Sequence, residues 1–386
     1  MELESAKYRA NPGYEAVGFR GAEAAQLIAA DLGIEGSDLF GTLKPRPGTA
    51  LPSQLISRDT ALLFFSLLEP GALPTWLLGQ GKAARLQNIR RLVLDRVIEV
   101  ESPQGFVCGA AAIHCLDVNA AESPRSRLAD LSRQALRYAE ALDLDDAMRV
   151  AGRLYAYNRV PAGPAWIARL SSPTAVARFL LLDVGASNQR TLARCWHLSG
   201  AAEGWHRFTT RRLRDARRAD HCKLYVSPAP ARLPALIEPV ADALAAAGAT
   251  QFKLGADLNG IMRPDKLVAY FADRDALLRA AEVLTVRLAG TAAQGVPFTA
   301  QIDADGLLSW GMDPPPQIAG GRDSWRTWVV WRLATALVGA ASTPKTSMLE
   351  PASTPPWRFA LARLATEGVD PATFAPTASW VEAAAA

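Results

Sequence analysis

Residues 222–271 read CKLYVSPAPARLPALIEPVADALAAAGATQFKLGADLNGIMRPDKLVAYF, and this stretch decides the fold. Lys223–Ser227 is a short apolar strand closed by Ser-Pro. Apolar residues then recur at helical spacing from Leu233 to Ala247, where Gly248 stops them. Gln251–Gly255 and Lys266–Phe271 are two further strands, separated by a turn that begins GADLNG. Three lysines (Lys223, Lys253 and Lys266) sit on these strands, and Arg263 lies in the turn before the last one. Strands aim their side chains rigidly, so cations converging from neighbouring strands make a site for an anion, most often phosphate.

The alternation of the last strand sharpens this. Leu267, Ala269 and Phe271 share one face, and Lys266, Val268 and Tyr270 share the other. Lys266 and Tyr270 are therefore aimed the same way. A phenol beside an ammonium binds phosphate or stabilises an enolate, and a lysine whose pKa is lowered by nearby cations serves as a general base. The plainer reading makes this face a solvated one and Arg263-Pro264-Asp265 a salt-bridged turn.

Downstream come a helix from Asp273 to Leu288, short strands in VPFTAQI (296–302) and LLSWGMD (307–313), and a long helix in DSWRTWVVWRLATALV (323–338). This order predicts an α+β fold with a mainly antiparallel sheet and helices on one side. Trp325, Trp328 and Trp331 recur every three residues and read as a core-packing stripe, flanked by Arg326 and Arg332. Upstream, AEAAQLIAADLGI (22–34), SRDTALLFFSLL (57–68), KAARLQNIRRLVLDRV (82–97) and SRLADLSRQALRYAEALDL (126–144) repeat at helical spacing. RVIEVES and GFVCGAAAIHCL pair as a hairpin through SPQG, and Ser172-Pro173 starts another helix. The division expected is a mostly helical region with a small hairpin over 1–200, an α+β domain over 201–345 and a Pro/Ala-rich surface tail over 346–386.

Composition excludes several classes. The chain has 386 residues, 49% of them apolar, enough for one large core or two ordinary ones. With 42 basic and 38 acidic residues, the formal charge of +4 is too balanced for a protein that coats nucleic acid. The first residues lack the pattern of a signal peptide, and no apolar run approaches a membrane span. The four cysteines show no CxxC and fit reduced thiols, so a soluble cytoplasmic protein is expected. His114-Cys115 and His221-Cys222 are adjacent pairs that point to opposite faces of a strand, which disfavours a metal site. GQGKAA lacks the upstream glycine of a phosphate loop, because Trp76 stands there. GWHRFTTRRLRDARRADHCK (204–223) reads either as a solvated basic helix or as a groove wall for an acidic peptide or nucleic acid.

The order KLYVSP, helix, FKLG, RPDKLVAYF, helix, VPFTA, GLLSWGMDPP, DSWRTWVVWRLA resembles the Hop-A type III secretion effector family, as in the lyase-like domains of class V lanthipeptide and thioamitide biosynthesis. The resemblance spans residues 205–345. It implies cofactor-free, metal-free elimination of phosphate from phosphoserine or phosphothreonine in a peptide, leaving a dehydroamino acid. By that resemblance Lys253, Tyr270 and Lys266 form the catalytic set, and Lys223, Arg263, Arg326 and Asp313 line the substrate and its phosphate. The partners implied are a phosphorylated precursor peptide and a kinase-like protein that supplies it, with no membrane or nucleic acid. Asp323 keeps an acidic position of the family pattern. Ala300 and Gln301 stand where the pattern has a basic residue after Phe-Thr, which leaves a non-catalytic peptide- or protein-binding module as the alternative.

Overall fold

The computed structural model describes residues 3–19, 38–49, 51–79, 81–116, 123–202, 204–211, 221–314, 324–341 and 354–385. The first half runs β1 (Tyr8–Ala10), β2 (Tyr14–Gly18), β3 (Leu39–Pro45), β4 (Gln54–Ser57), α1 (Arg58–Ser66), α2 (Lys82–Leu94), β5 (Ile98–Ser102) and β6 (Gly105–Val107). Helices α3 (Arg127–Ala141), α4 (Ala147–Ala156), α5 (Pro164–Arg169), α6 (Pro173–Phe179) and α7 (Ser187–Cys195) follow. Strands β7 (Trp196–Ala202) and β8 (Trp205–Thr210) lead into β9 (Cys222–Val226), α8 (Leu233–Ala247), β10 (Gln251–Gly255), α9 (Leu258–Met262), β11 (Leu267–Phe271) and α10 (Arg274–Arg287). The chain continues through β12 (Ala300–Gln301), β13 (Leu308–Met312), α11 (Trp325–Ala341), α12 (Pro356–Ala365) and α13 (Ala378–Ala385).

The fold is α+β. Its main sheet has seven strands in the order β12-β13-β9-β11-β10-β8-β7, all neighbours antiparallel. β9 and β10 flank β11, so the strand–helix–strand unit read from residues 222–255 is split by the strand that follows it. Local chemistry explains the boundaries. Gly248 adopts a left-handed φ of 87° and ends α8. Asp257 and Asp273 cap α9 and α10 by accepting from Gly260 N–H and Ala276 N–H. Ser126 and Ser172 do the same for α3 and α6.

One face of the sheet is apolar. Leu224, Val226, Phe252, Leu254, Leu267, Ala269, Phe271 and Leu308 are all buried there. Phe252 stacks on Phe208 at 4.7 Å and meets Trp196 edge-on at 4.8 Å. The Trp196 indole N–H donates to Ala241 O of α8, and Arg274 of α10 covers Trp310, so these two helices belong to this layer. The opposite face carries Lys223, Tyr225, Gln251, Lys253, Val268, Tyr270, Ser309 and Gly311, as the register requires. Helices were expected on one side only, but α11 packs on this second face. The Trp325 ring lies on Gly311, where a Cβ would come within 2.3 Å of it, so only glycine admits the helix.

Other expectations change too: the turn at GADLNG carries the short helix α9, and GFVCGAAAIHCL turns helical from Gly109 to Cys115. The hairpin of β5 and β6 is present, but β1 widens it, and β2-β3-β4 form a second small sheet in the region read as mostly helical. The basic stretch begins as a strand, because Trp205 and Phe208 are buried in the sheet; residues 212–220 and the helix expected over 22–34 lie outside the described residues. Residues 354–385, read as part of a surface tail, bury Trp357, Phe359, Phe374 and Trp380. Trp380 packs edge-on against Trp325 at 5.5 Å and Trp328 at 4.9 Å, which makes this segment part of the core. Trp331 leaves the tryptophan stripe and is 42% exposed, because a three-residue spacing drifts around a helix of 3.6 residues per turn.

We expect Gly311→Ala to push α11 off β13 and cost about 1–3 kcal/mol, as overpacked cores do. Thermal denaturation checks this, and an unchanged melting temperature would contradict the close packing of Trp325.

Candidate functional site

The cationic residues meet on the face opposite α8 and α10. At their centre is Asp265, which is 4% exposed. Arg263 clamps it with two hydrogen bonds, Nε to Oδ1 at 2.8 Å and NH2 to Oδ2 at 2.9 Å. Arg326 of α11 approaches Oδ2 at 2.9 Å, and the Tyr155 hydroxyl of α4 donates to the same oxygen at 3.2 Å. Arg263 also donates to the Tyr155 hydroxyl at 2.9 Å. Burial alone would raise the Asp265 pKa, but Arg326 and Arg263 override it and hold the carboxyl well below the usual carboxylate range.

A second ion pair stands on β9. Lys223 Nζ donates to Asp313 at 2.6 Å, and Asp313 also accepts the Trp325 backbone N–H at 2.8 Å. Asp313 therefore ties the first turn of α11 to the sheet. Lys223 also faces the Tyr270 ring, 5.4 Å from its centroid.

Lys253 differs from the other cations. It makes no ion pair or hydrogen bond among the described residues. Its ammonium lies 4.4 Å from the centroid of Trp205 and 5.8 Å from that of Tyr270, and Arg263 covers the same Trp205 ring at 4.7 Å. Burial pulls its pKa down to about 8; Asp265 opposes that shift, while Lys223, Arg263 and Arg207 add to it. Burial also raises the Tyr270 pKa, so this phenol keeps its proton at neutral pH.

Of the residues read from the sequence, Lys223, Lys253, Tyr270, Arg263, Asp313 and Arg326 come together. Lys266 does not. It precedes β11, is fully buried, and donates to Pro228 O at 2.9 Å and Gln294 Oε1 at 2.5 Å. Burial lowers its pKa to about 7, with Asp265 working the other way. Arg326 is 1% exposed and spends its remaining donors on Pro297 O and Tyr155 O. Both cations brace the site from behind. Gln301 turns away as well: it accepts the Leu128 N–H at the start of α3 and donates to Asp303 O and Ala304 O. Ala300 is buried within edge strand β12, opposite Trp310 of β13, and Asp323 lies outside the described residues.

Three contributors escaped the sequence reading. Tyr155 lies 110 residues from Asp265, with no motif around it. Trp205 lies in the stretch read as basic. Asp265 was read only as part of a turn, whereas it organises two arginines and a phenol.

No family model and no curated protein matches this chain. Solved structures similar to it include two that are described as effector proteins of Pseudomonas syringae. One, from pv. tomato strain DC3000, is 14% identical, with a TM-score of 0.37, over 65% of this chain and 97% of its own. The other, from pv. syringae strain 61, is 17% identical, with a TM-score of 0.35, over 66% of this chain and 98% of its own. Among the described residues no helix is long and apolar enough to cross a membrane.

Asp265→Asn leaves the buried Arg326 and the half-buried Arg263 without their counter-ion, and we expect a loss of about 3–5 kcal/mol at pH 7. The folded pKa of this carboxyl is depressed, so its stabilisation exists above about pH 4 and is lost as pH falls toward the folded value. Denaturant titrations across this acid range should show the variant losing less stability than wild type. Parallel curves would contradict the ion-pair account.

Proposed function

We propose that the protein eliminates phosphate from phosphothreonine or phosphoserine in a peptide, with Lys253 as the base. The observation that carries this reading is a half-buried amine, unpaired among the described residues, with its pKa drawn down to about 8 beside a protonated phenol and a guanidinium. A neutral lysine amine near its working pH is a competent general base.

The step balances with these groups. Lys253 takes the Cα proton of the phosphorylated residue. The released electron pair forms the Cα=Cβ bond, the Cβ–O bond breaks, and phosphate leaves with that bonding pair. Tyr270 donates a hydrogen bond to the substrate carbonyl oxygen, where negative charge develops. Arg263, 20% exposed at its side chain, and Lys223 offer positive charge to the leaving phosphate. Lys266 and Arg326 act through packing, not contact. A kinase-like enzyme of a peptide-modifying pathway would supply the substrate. The product carries a dehydroamino acid, the reactive group used in ribosomal-peptide maturation.

A binding module is the second reading, and one observation favours it. Asp265 and Asp313 already neutralise much of the charge on Arg263, Arg326 and Lys223. A phosphopeptide would then be held without reaction.

Mass spectrometry on a panel of phosphothreonine and phosphoserine peptides separates the two. We expect loss of phosphoric acid by wild type and a drop of at least about 100-fold in Lys253→Met. The pH profile of kcat/KM should rise with the loss of one proton, with its midpoint near about 8, where half of the amine is neutral, and level above it. Lys266→Ala should lower the melting temperature, because it removes the partner of two buried acceptors; Lys253→Met should not. Binding without any mass change across the panel would leave the module reading standing and the lyase reading refuted.

A further inference from the structure

A cleft of about 610 Å³ lies away from Lys253, between residues 51–54 and 94–96 on one side and α11 and α12 on the other. That volume is typical of small-molecule sites. Leu51, Leu94, Val338 and Phe359 supply an apolar wall, and Trp331, 42% exposed, stands at the rim.

The polar wall has more cations than anions. Arg96, Arg332 and Arg363 face Asp95 and Glu367, which leaves one positive charge in excess. Arg363 takes both carboxylates: it pairs with Asp95 through Nε and NH2, and with Glu367 at 2.7 Å. Burial works against the Arg363 charge, but these two carboxylates raise its pKa above the usual guanidinium range, and Glu367 is lowered in turn. Arg96 donates to Gly339 O at 2.8 Å near the end of α11.

Arg332 is left over. Its nearest carboxylate oxygen, on Glu367, is 3.9 Å away, and it makes no hydrogen bond among the described residues. Its Nε is buried with no hydrogen-bond partner there, while the side chain as a whole is 37% exposed. The guanidinium also lies 5.3 Å from the Trp328 ring centroid, but a buried Nε–H that has gained no acceptor is costly unless something supplies one. An acceptor bearing a negative charge would also cancel the excess charge of the wall.

We propose that this cleft binds a small amphipathic monoanion, with an apolar body against Leu94, Val338 and Phe359 and one carboxylate on Arg332. The fit rests on charge complementarity and on the unmet donors of one side chain. It is independent of the lyase reading, because no residue of the cleft belongs to the Lys253 site.

Calorimetric titration of the full chain with decanoate, decanol and decyltrimethylammonium tests it. These probes share a chain and differ in head-group charge. Decanoate should bind saturably at one site and more tightly than decanol, and the ammonium should bind worst. Arg332→Gln should weaken decanoate about tenfold, the scale of one charge-assisted hydrogen bond, and leave decanol unchanged. Thr335→Trp, at an exposed position lining the cleft, should abolish binding of both. If that variant fails to fold, as judged by circular dichroism, Arg332→Gln decides alone. No binding of decanoate, equal affinity for decanoate and decanol, or an unaltered decanoate affinity in Arg332→Gln would each overturn the proposal.

Discussion

A buried carboxylate cannot stand alone. Asp265 sits at 4% exposure, and its charge survives there only because two guanidiniums and a phenol surround it. Those partners come from three places: the turn before β11, the first turn of α11, and α4. One ionic requirement therefore fixes how α4 and α11 sit on the polar face of the sheet. Removing Asp265 in thought leaves Arg326 stranded at 1% exposure, with only carbonyl acceptors beside it. Hydrophobic burial is non-directional and does not by itself impose so specific an arrangement.

The same constraint sorts the cations by role. Arg326 and Lys266 are sealed in and hydrogen-bonded, so they hold geometry. Lys253 has aromatic walls in place of carboxylates. Desolvation is not offset there by a direct ion pair, and its proton is easily lost. Five cations of similar sequence appearance thus divide into sealed braces (Arg326 and Lys266), carboxylate-paired cations (Lys223 and Arg263) and one half-buried amine, Lys253, with neither a carboxylate nor a hydrogen-bond acceptor among the described residues. Charge alone did not separate them; exposure and partners did. The proposed chemistry uses this division, because a base must shed its proton while the groups that attract phosphate must keep theirs.

Helix α11 links distant parts of the molecule. Its first turn is anchored by Asp313 and seated on Gly311, and its tryptophans meet Trp380 from the end of the chain. Two turns further along, Arg332 and Trp331 turn toward the cleft shared with residues 94–96. The departure from helices on one side has its cause in this helix. A sheet face rich in Lys, Tyr and Ser reads as solvated, yet a single glycine lets an indole ring lie on it.

Local patterning was enough for the α+β class and for the three strands and two long helices between residues 222 and 288, though not for the short helix α9 inside the turn. Alternation and helical spacing there act between near neighbours, and Gly248, Asp257 and Asp273 mark the ends by their own backbone chemistry. The same alternation put Lys223, Lys253 and Tyr270 on one face, because strand pairing preserves it. Tyr155, Trp205 and the central role of Asp265 were not legible. Tyr155 meets Arg263 and Asp265 across 108 and 110 residues, and Trp205 reaches Lys253 and Arg263 from a strand outside the 222–271 stretch; no local spacing encodes either meeting. Lys266 shares the parity of Tyr270, yet its chain bends to Gln294 and Pro228, since an ammonium that the fold buries must find acceptors wherever they lie.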